Sequence, residues 1–104
     1  MIGADIDWEG QSGKEYGHWI HRIGTDLTKE PGNYIYAKKV ESGGWTPIYI
    51  GQSANLQNRD GDREACAKLN GATHVHAHTS PFGEAARTAE QADLVAKWNP
   101  PCNA

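Results

Sequence analysis

The sequence predicts an α+β domain built on an antiparallel or mixed sheet, and three observations lead there. The first half carries two glycine-marked hairpin turns, Gly10-Gln-Ser-Gly13 and Glu41-Ser-Gly-Gly-Trp45, each between segments rich in aromatic and β-branched residues. The second half carries two helix-forming stretches, residues 55–69 and 84–98, on either side of a short strand-like segment. The whole chain is 104 residues, room for one core and one domain. No internal repeat or low-complexity segment divides it.

The elements follow in order. Residues 5–9 form a first strand and residues 16–23 a second, joined through the 10–13 turn. Residues 24–32, with Asp26, Pro31 and Gly32, form a loop. Residues 33–40 alternate, with Tyr34, Tyr36 and Lys38 on one face and Ile35 and Ala37 on the other. Residues 46–52 return as the other half of that hairpin. Residues 55–69 read as one helix, interrupted or kinked at Asp60-Gly61 and closed by Asn70-Gly71 in a left-handed cap. Residues 73–79 are a strand. Ser80-Pro81 starts the last helix, with Pro tolerated in its first turn, and Asn99-Pro-Pro ends it. On that helix Ala85, Ala89, Ala92 and Ala96 are expected to face the sheet. The order is β-β-β-β-α-β-α.

Ten Lys and Arg against 13 Asp and Glu leave a formal charge of −3, which argues for neither nucleic acid nor membrane on global electrostatics. Leu, Ile, Val and Phe number only 15, but four Trp and four Tyr supply burial of roughly 150–250 Å² each. No apolar run approaches the roughly 20 residues of a membrane span. The start, Met1-Ile-Gly-Ala-Asp5, has neither a basic nor an apolar segment, so no signal peptide is expected. Cys66 and Cys102 lie 36 positions apart with no CxxC pair, and are read as reduced packing residues of a cytoplasmic protein. One disulfide is the lesser alternative.

The chemistry gathers around Gly32-Asn-Tyr34 and Tyr49-Ile50-Gly51, followed ten residues after Tyr49 by Arg59. Two phenols and a guanidinium near a helix start can hold a phosphate, because the Arg fork matches phosphate oxygens and helix amides add donors. Taken alone, these residues are read more readily as half-buried strand tyrosines and a solvated arginine.

The pattern resembles the GIY-YIG nuclease family. Gly32-Asn-Tyr34 is similar to its first element, with Asn where Ile is usual, and Tyr49-Ile50-Gly51 matches the second. The stretch from Gln52 to Arg59 is similar to the segment leading to the family's essential arginine. Residues 89–103 resemble its last helix and tail, so the likeness covers residues 32–103 and leaves residues 1–31 as an N-terminal hairpin extension. The resemblance implies a central sheet flanked by helices and metal-dependent hydrolysis of DNA phosphodiesters. It makes Tyr34, Tyr49, Arg59 and Glu90 the catalytic residues. Tyr49, or water on it, would help deprotonate the nucleophile, and Arg59 would stabilise charge on the phosphate. Glu90 would be the one carboxylate on Mg²⁺ (or Mn²⁺), an ion that keeps most of its waters. Gly51, Ser53, Asn55, Arg63 and Asn103 would contact the substrate, Asn103 also tying the tail to the site. Further implied partners are DNA and a protein that supplies targeting, with no membrane.

The chain departs from the family in two places. Arg63 stands where a His or Tyr is usual, and arginine cannot serve as general base. The turn spanning residues 38–47 is longer than usual. Arg63 in place of that His or Tyr favours, as an alternative, an inactive or weakly active module that binds nucleic acid or protein, whereas a hairpin tip tolerates insertion.

Glu90, on an Ala-rich helix, has the plain alternative of a solvated side chain. His74, His76 and His78 alternate on one strand face, and with His18 and His21 they offer ligands for Zn²⁺ or Ni²⁺ or a polar sheet face. One of the three could instead replace the missing acid/base group. Lys38, Lys39, Arg59, Arg63, Lys68, Arg87 and Lys97 all fall in the family-like region. The N-terminal hairpin, with Trp8, Tyr16 and Trp19, could extend the sheet, cover an edge or meet a partner.

Overall fold

The computed structural model describes residues 3–59 and 61–104; Met1, Ile2 and Asp60 lie outside the described residues, and with them part of the N-terminal reading and of the Asp60-Gly61 break. The strands are β1 (Ile6–Glu9), β2 (Glu15–Arg22), β3 (Gly32–Lys39), β4 (Trp45–Ser53) and β5 (His74–Thr79). The helices are α1 (Gly61–Leu69) and α2 (Glu84–Trp98), with 3₁₀ turns at Leu56–Asn58 and Pro101–Asn103. The order along the chain is the expected one, and every strand pair is antiparallel.

The sheet runs β1-β2-β5-β3-β4, so β5 enters between the two hairpins. His76 pairs with Ile20 of the first hairpin and with Ile35 of the second. The N-terminal hairpin therefore extends the sheet, the first of its three expected roles. The strands of the second hairpin run on through Lys39 and from Trp45, leaving only residues 40–44 to turn.

Alternation on β3 divides the core as the sequence predicts. Tyr34 and Tyr36 pack on one face with Leu27, Ile48, Leu56, Ala67, Val75 and Cys102. Ile35 and Ala37 pack on the other with Trp8, Tyr16, Ile50 and Leu94. The first, here the front face, is covered by α1 and the 3₁₀ turns; the second, the back face, by α2. Being central and covered on both sides, β3 is buried from Gly32 to Ala37. Gly32 admits no side chain, because a Cβ there would lie 2.0 Å from the His78 carbonyl oxygen of β5.

Four expectations are corrected. Residues 55–69 are not one helix. The Asn55 side chain caps a single 3₁₀ turn by accepting from the Gln57 amide, and Arg59 is extended (φ −78°, ψ 165°), so it precedes α1 instead of lying within it. The last helix does not start at Ser80-Pro81. The Ser80 amide still donates to the Pro31 carbonyl beside the sheet, and the helix begins at Glu84 after Gly83 at φ 97°. Ala85, Ala89, Ala92 and Ala96 face solvent, while Arg87 and Leu94 are buried. The inward side is polar because the strands beneath offer it partners: Arg87 Nε donates to Gln52 and Gln91 Nε2 to the Ile50 carbonyl. Finally, Cys66 and Cys102 form a disulfide. The C-terminal 3₁₀ turn returns to α1, a meeting in space that a spacing of 36 does not reveal, and the cysteine ground for a cytoplasmic protein falls with it. Among the described residues no helix is long and apolar enough to cross a membrane.

Candidate functional site

The front face gathers three phenols. Tyr34 and Tyr36 come from β3 and Tyr49 from β4, with ring centroids 5.5 Å (34–36), 5.9 Å (34–49) and 6.4 Å (36–49) apart. Tyr34 pairs across the ladder with Gly51, and a Cβ at Gly51 would meet the Tyr34 ring at 2.5 Å. Gly51 thus seats a tyrosine, a packing role where substrate contact was expected. Tyr36 was missed as a site residue, although its place two positions after Tyr34 puts it on the same face.

Arg59 closes over this cluster. Its Nε donates to the Tyr36 hydroxyl at 3.1 Å, Nη1 to the Leu56 carbonyl at 2.8 Å, and Nη2 lies 3.7 Å from Glu64. The guanidinium lies 5.9 and 5.8 Å from the Tyr34 and Tyr36 ring centres. With a side chain 9% exposed, Arg59 is neither solvated nor open to a ligand along most of its length. Tyr36 also donates to Glu64 at 3.3 Å. Burial pushes the Tyr36 phenol above its ordinary pKa of 10.0, and Arg59 opposes this, so the phenol stays protonated at neutral pH.

The solvent side of the cluster is Arg63 on α1. It is exposed, its guanidinium stands 5.5 Å from the Tyr49 ring centre, and Nη1 donates to the Cys102 carbonyl at 3.1 Å. Ser53 and Asn55 turn inward: the Ser53 hydroxyl donates to the Asn55 carbonyl and accepts from the Asn55 amide. They shape the turn before Arg59.

Asn103 is tied to the Tyr49-Ile50-Gly51 element through Ile50. Because β4 is an edge strand, the Ile50 amide and carbonyl point outward, and Asn103 pairs with both at 2.8 Å. The same carbonyl accepts from Gln91 at 3.0 Å.

Glu90 does not join this group. It projects from α2 on the back face, accepting from the Ser80 hydroxyl at 2.6 Å and facing His78 Nε2 at 3.3 Å. The body of the sheet separates it from the tyrosines. The α2 side chains that hydrogen-bond to the strand of Tyr49-Ile50-Gly51 are Arg87, on Gln52, and Gln91, a neutral amide on the Ile50 carbonyl. Among the described residues, no three His, Cys, Asp or Glu are grouped to hold a metal ion.

The histidines also sit elsewhere. His74 and His76 meet Trp45 on the back face, and His18 stacks on His78 at 5.2 Å. His21 alternates to the front with Trp19. His76 Nδ1 accepts from Trp8 Nε1 at 3.0 Å, while Nε2 of both His18 and His76 is buried without a hydrogen-bond partner among the described residues. Burial lowers the pKa of His18 to about 3 and of His76 to about 4, keeping both neutral. None of the three β5 histidines reaches the tyrosine cluster to replace an acid/base group. Compared with known protein families, characterised proteins and solved structures, the chain matches none.

Proposed function

We propose that this chain is a GIY-YIG-like module that grips the DNA phosphate backbone through Arg63 and Tyr49 without cutting it. One observation carries the reading: the α2 side chains that hydrogen-bond to the strand of Tyr49-Ile50-Gly51 are Arg87 and the amide Gln91, while Glu90 faces His78 and Ser80 across the sheet. An amide is a poor ligand for a hard divalent cation beside a carboxylate's anionic oxygens. Mg²⁺ or Mn²⁺ on Glu90 does not fit a reaction at the tyrosines, because Glu90 turns to His78 and Ser80 on the other face of the sheet. Arg63 offers an exposed guanidinium over the Tyr49 ring, a cationic donor suited to a phosphate oxygen, while its Nη1 holds the Cys102 carbonyl. Arg59, buried against Tyr36 and Glu64, braces that surface from below.

A metal-dependent endonuclease is the second reading, favoured by the convergence of Tyr34, Tyr49 and Arg59 on one face and by Asn103 on Ile50. A labelled duplex at low salt, and supercoiled plasmid with Mg²⁺, Mn²⁺ or EDTA, separate the two. The binding module predicts salt-sensitive binding that Arg63→Ala weakens roughly 10-fold and Glu90→Ala leaves alone, with the plasmid intact. Metal-dependent nicking abolished by Glu90→Ala would establish the endonuclease instead. Wild-type protein with no affinity for DNA would reject both.

A further inference from the structure

A cavity opens on the front face, away from Arg63. It has a volume of about 370 Å³ and lies between the β2–β5 ladder and the loop of residues 24–31. Trp19, Leu27 and Ala77 form its apolar wall, and Asp26 and Glu30 stand at its rim. The loop is held in place: Leu27 is buried in the front core, the Thr25 amide donates to the Arg22 carbonyl, and the Glu30 carbonyl accepts from the Leu56 amide at 3.0 Å. Thr28 donates to the Glu30 carboxylate at 3.2 Å.

Trp19 differs from the other three tryptophans. Trp8 packs on His76 and Trp98; Trp45 packs on two histidines and carries Lys39; Trp98 carries Lys97. Trp19 is 40% exposed and, among the described residues, meets neither a ring nor a cation. Neither Asp26 nor Glu30 is in an ion pair with a described residue.

We infer that this cavity receives a cationic side chain, arginine or lysine, from a partner protein. The two carboxylates repel a phosphate, and a purely apolar guest would desolvate them with no cation to offset their charge. A long cationic side chain suits the apolar and acidic parts of the lining: its methylenes lie on Leu27 and Ala77, and its head sits between the indole face and the carboxylates, with His21, Thr28 and Thr79 completing the wall. The Trp45–Lys39 and Trp98–Lys97 pairs show the same chemistry within the chain. The inference is independent of DNA binding.

The test follows the Trp19 indole NH in two-dimensional NMR spectra, assigned with Trp19→Phe. The probes are N-acetyl-arginine methylamide, the lysine equivalent, a neutral norleucine equivalent, adenosine, and a short peptide with one central arginine. The expected result is a saturable shift with the cationic probes, at least as tight for the peptide, and roughly 10-fold weaker in Asp26→Asn/Glu30→Gln. The three other indole signals report that each variant is folded. Absence of a shift with the cationic probes overturns the inference, as does an equal shift in the double variant or with norleucine or adenosine. A peptide that binds roughly 10-fold more weakly than the free derivatives would assign the cavity to a small amine and remove the protein partner.

Discussion

His76 has no exposed surface, and its only hydrogen bond among the described residues is the one Trp8 gives to Nδ1. His18, equally buried, is held by the Tyr16 carbonyl through Nδ1. Both rings are core residues shaped like polar ones, and that dual character makes them sensitive to acid. In the unfolded chain they take up protons near 6.5; in the fold they stay neutral down to about 3 and about 4. The stability that depends on neutral rings is complete above pH 6.5 and drains away as pH falls toward those lower values. At about pH 5 each ring costs on the order of 2 kcal/mol. Urea midpoints should therefore fall steeply between about pH 6.5 and pH 5, and His76→Gln should flatten that dependence even though it lowers the midpoint at neutral pH. An unchanged slope in His76→Gln would show that other groups drive the acid response. The three alternating histidines were legible as one face of a strand. The burial of His76 was not, because it depends on Trp8 and Trp45 arriving from distant strands to cover it.

At the scale of elements, local signals were read well and pairings were not. The hairpins could be seen because glycine turns and residue alternation are local. The insertion of β5 between them could not, since nothing in residues 73–79 names its neighbours. The alanine stripe of α2 misled for a physical reason. Small apolar residues look like a packing face, but this helix lies across polar strand ends and turns Arg87, Glu90 and Gln91 toward them. That Tyr34 and Tyr36 share a face was legible from alternation, whereas the hold of Asn103 on Ile50 and the partnership of Tyr36, Arg59 and Glu64 needed the fold. Edge strand β4 shows why Asn103 matters. An exposed edge leaves backbone groups without partners, and Asn103 supplies a donor and an acceptor to one residue, Ile50, as a further strand would. Asn103→Ala should destabilise the protein by about 1–3 kcal/mol. It should also raise amide hydrogen exchange at Ile50 by about 10-fold or more, while the amides of central β5 change only with global stability. Equal protection of Ile50 in wild type and variant would mean that β4 needs no such clamp.

Across the whole molecule, one covalent bond joins the parts that the proposed DNA surface needs. Cys66 lies on α1, three residues after Arg63, and Cys102 immediately precedes Asn103. The disulfide thus ties the helix bearing the exposed guanidinium to the tail that clamps β4, and Arg63 adds a hydrogen bond to the Cys102 carbonyl. Asn70 contributes contacts to both sulfurs. Closing a loop with a sequence separation of 36 stabilises a fold by about 4 kcal/mol in the chain-entropy account. For a domain whose total stability is on the order of 5–15 kcal/mol, that is a large fraction. Such bonds persist in oxidising compartments and are rare in reducing ones, so the setting in which the chain folds decides how firmly its tail is held. Thiol titration of the unfolded, unreduced protein should find no free cysteine. Dithiothreitol should lower the urea midpoint to that of Cys66→Ser/Cys102→Ser and should leave that double variant unchanged. The same reduction should loosen the tail and so speed exchange at Ile50, joining the redox state of two distant cysteines to the edge of the tyrosine-bearing hairpin. Two titratable thiols in the purified protein, with a midpoint indifferent to reductant, would remove the disulfide from the native state and leave Asn103 and Arg63 to hold the tail alone.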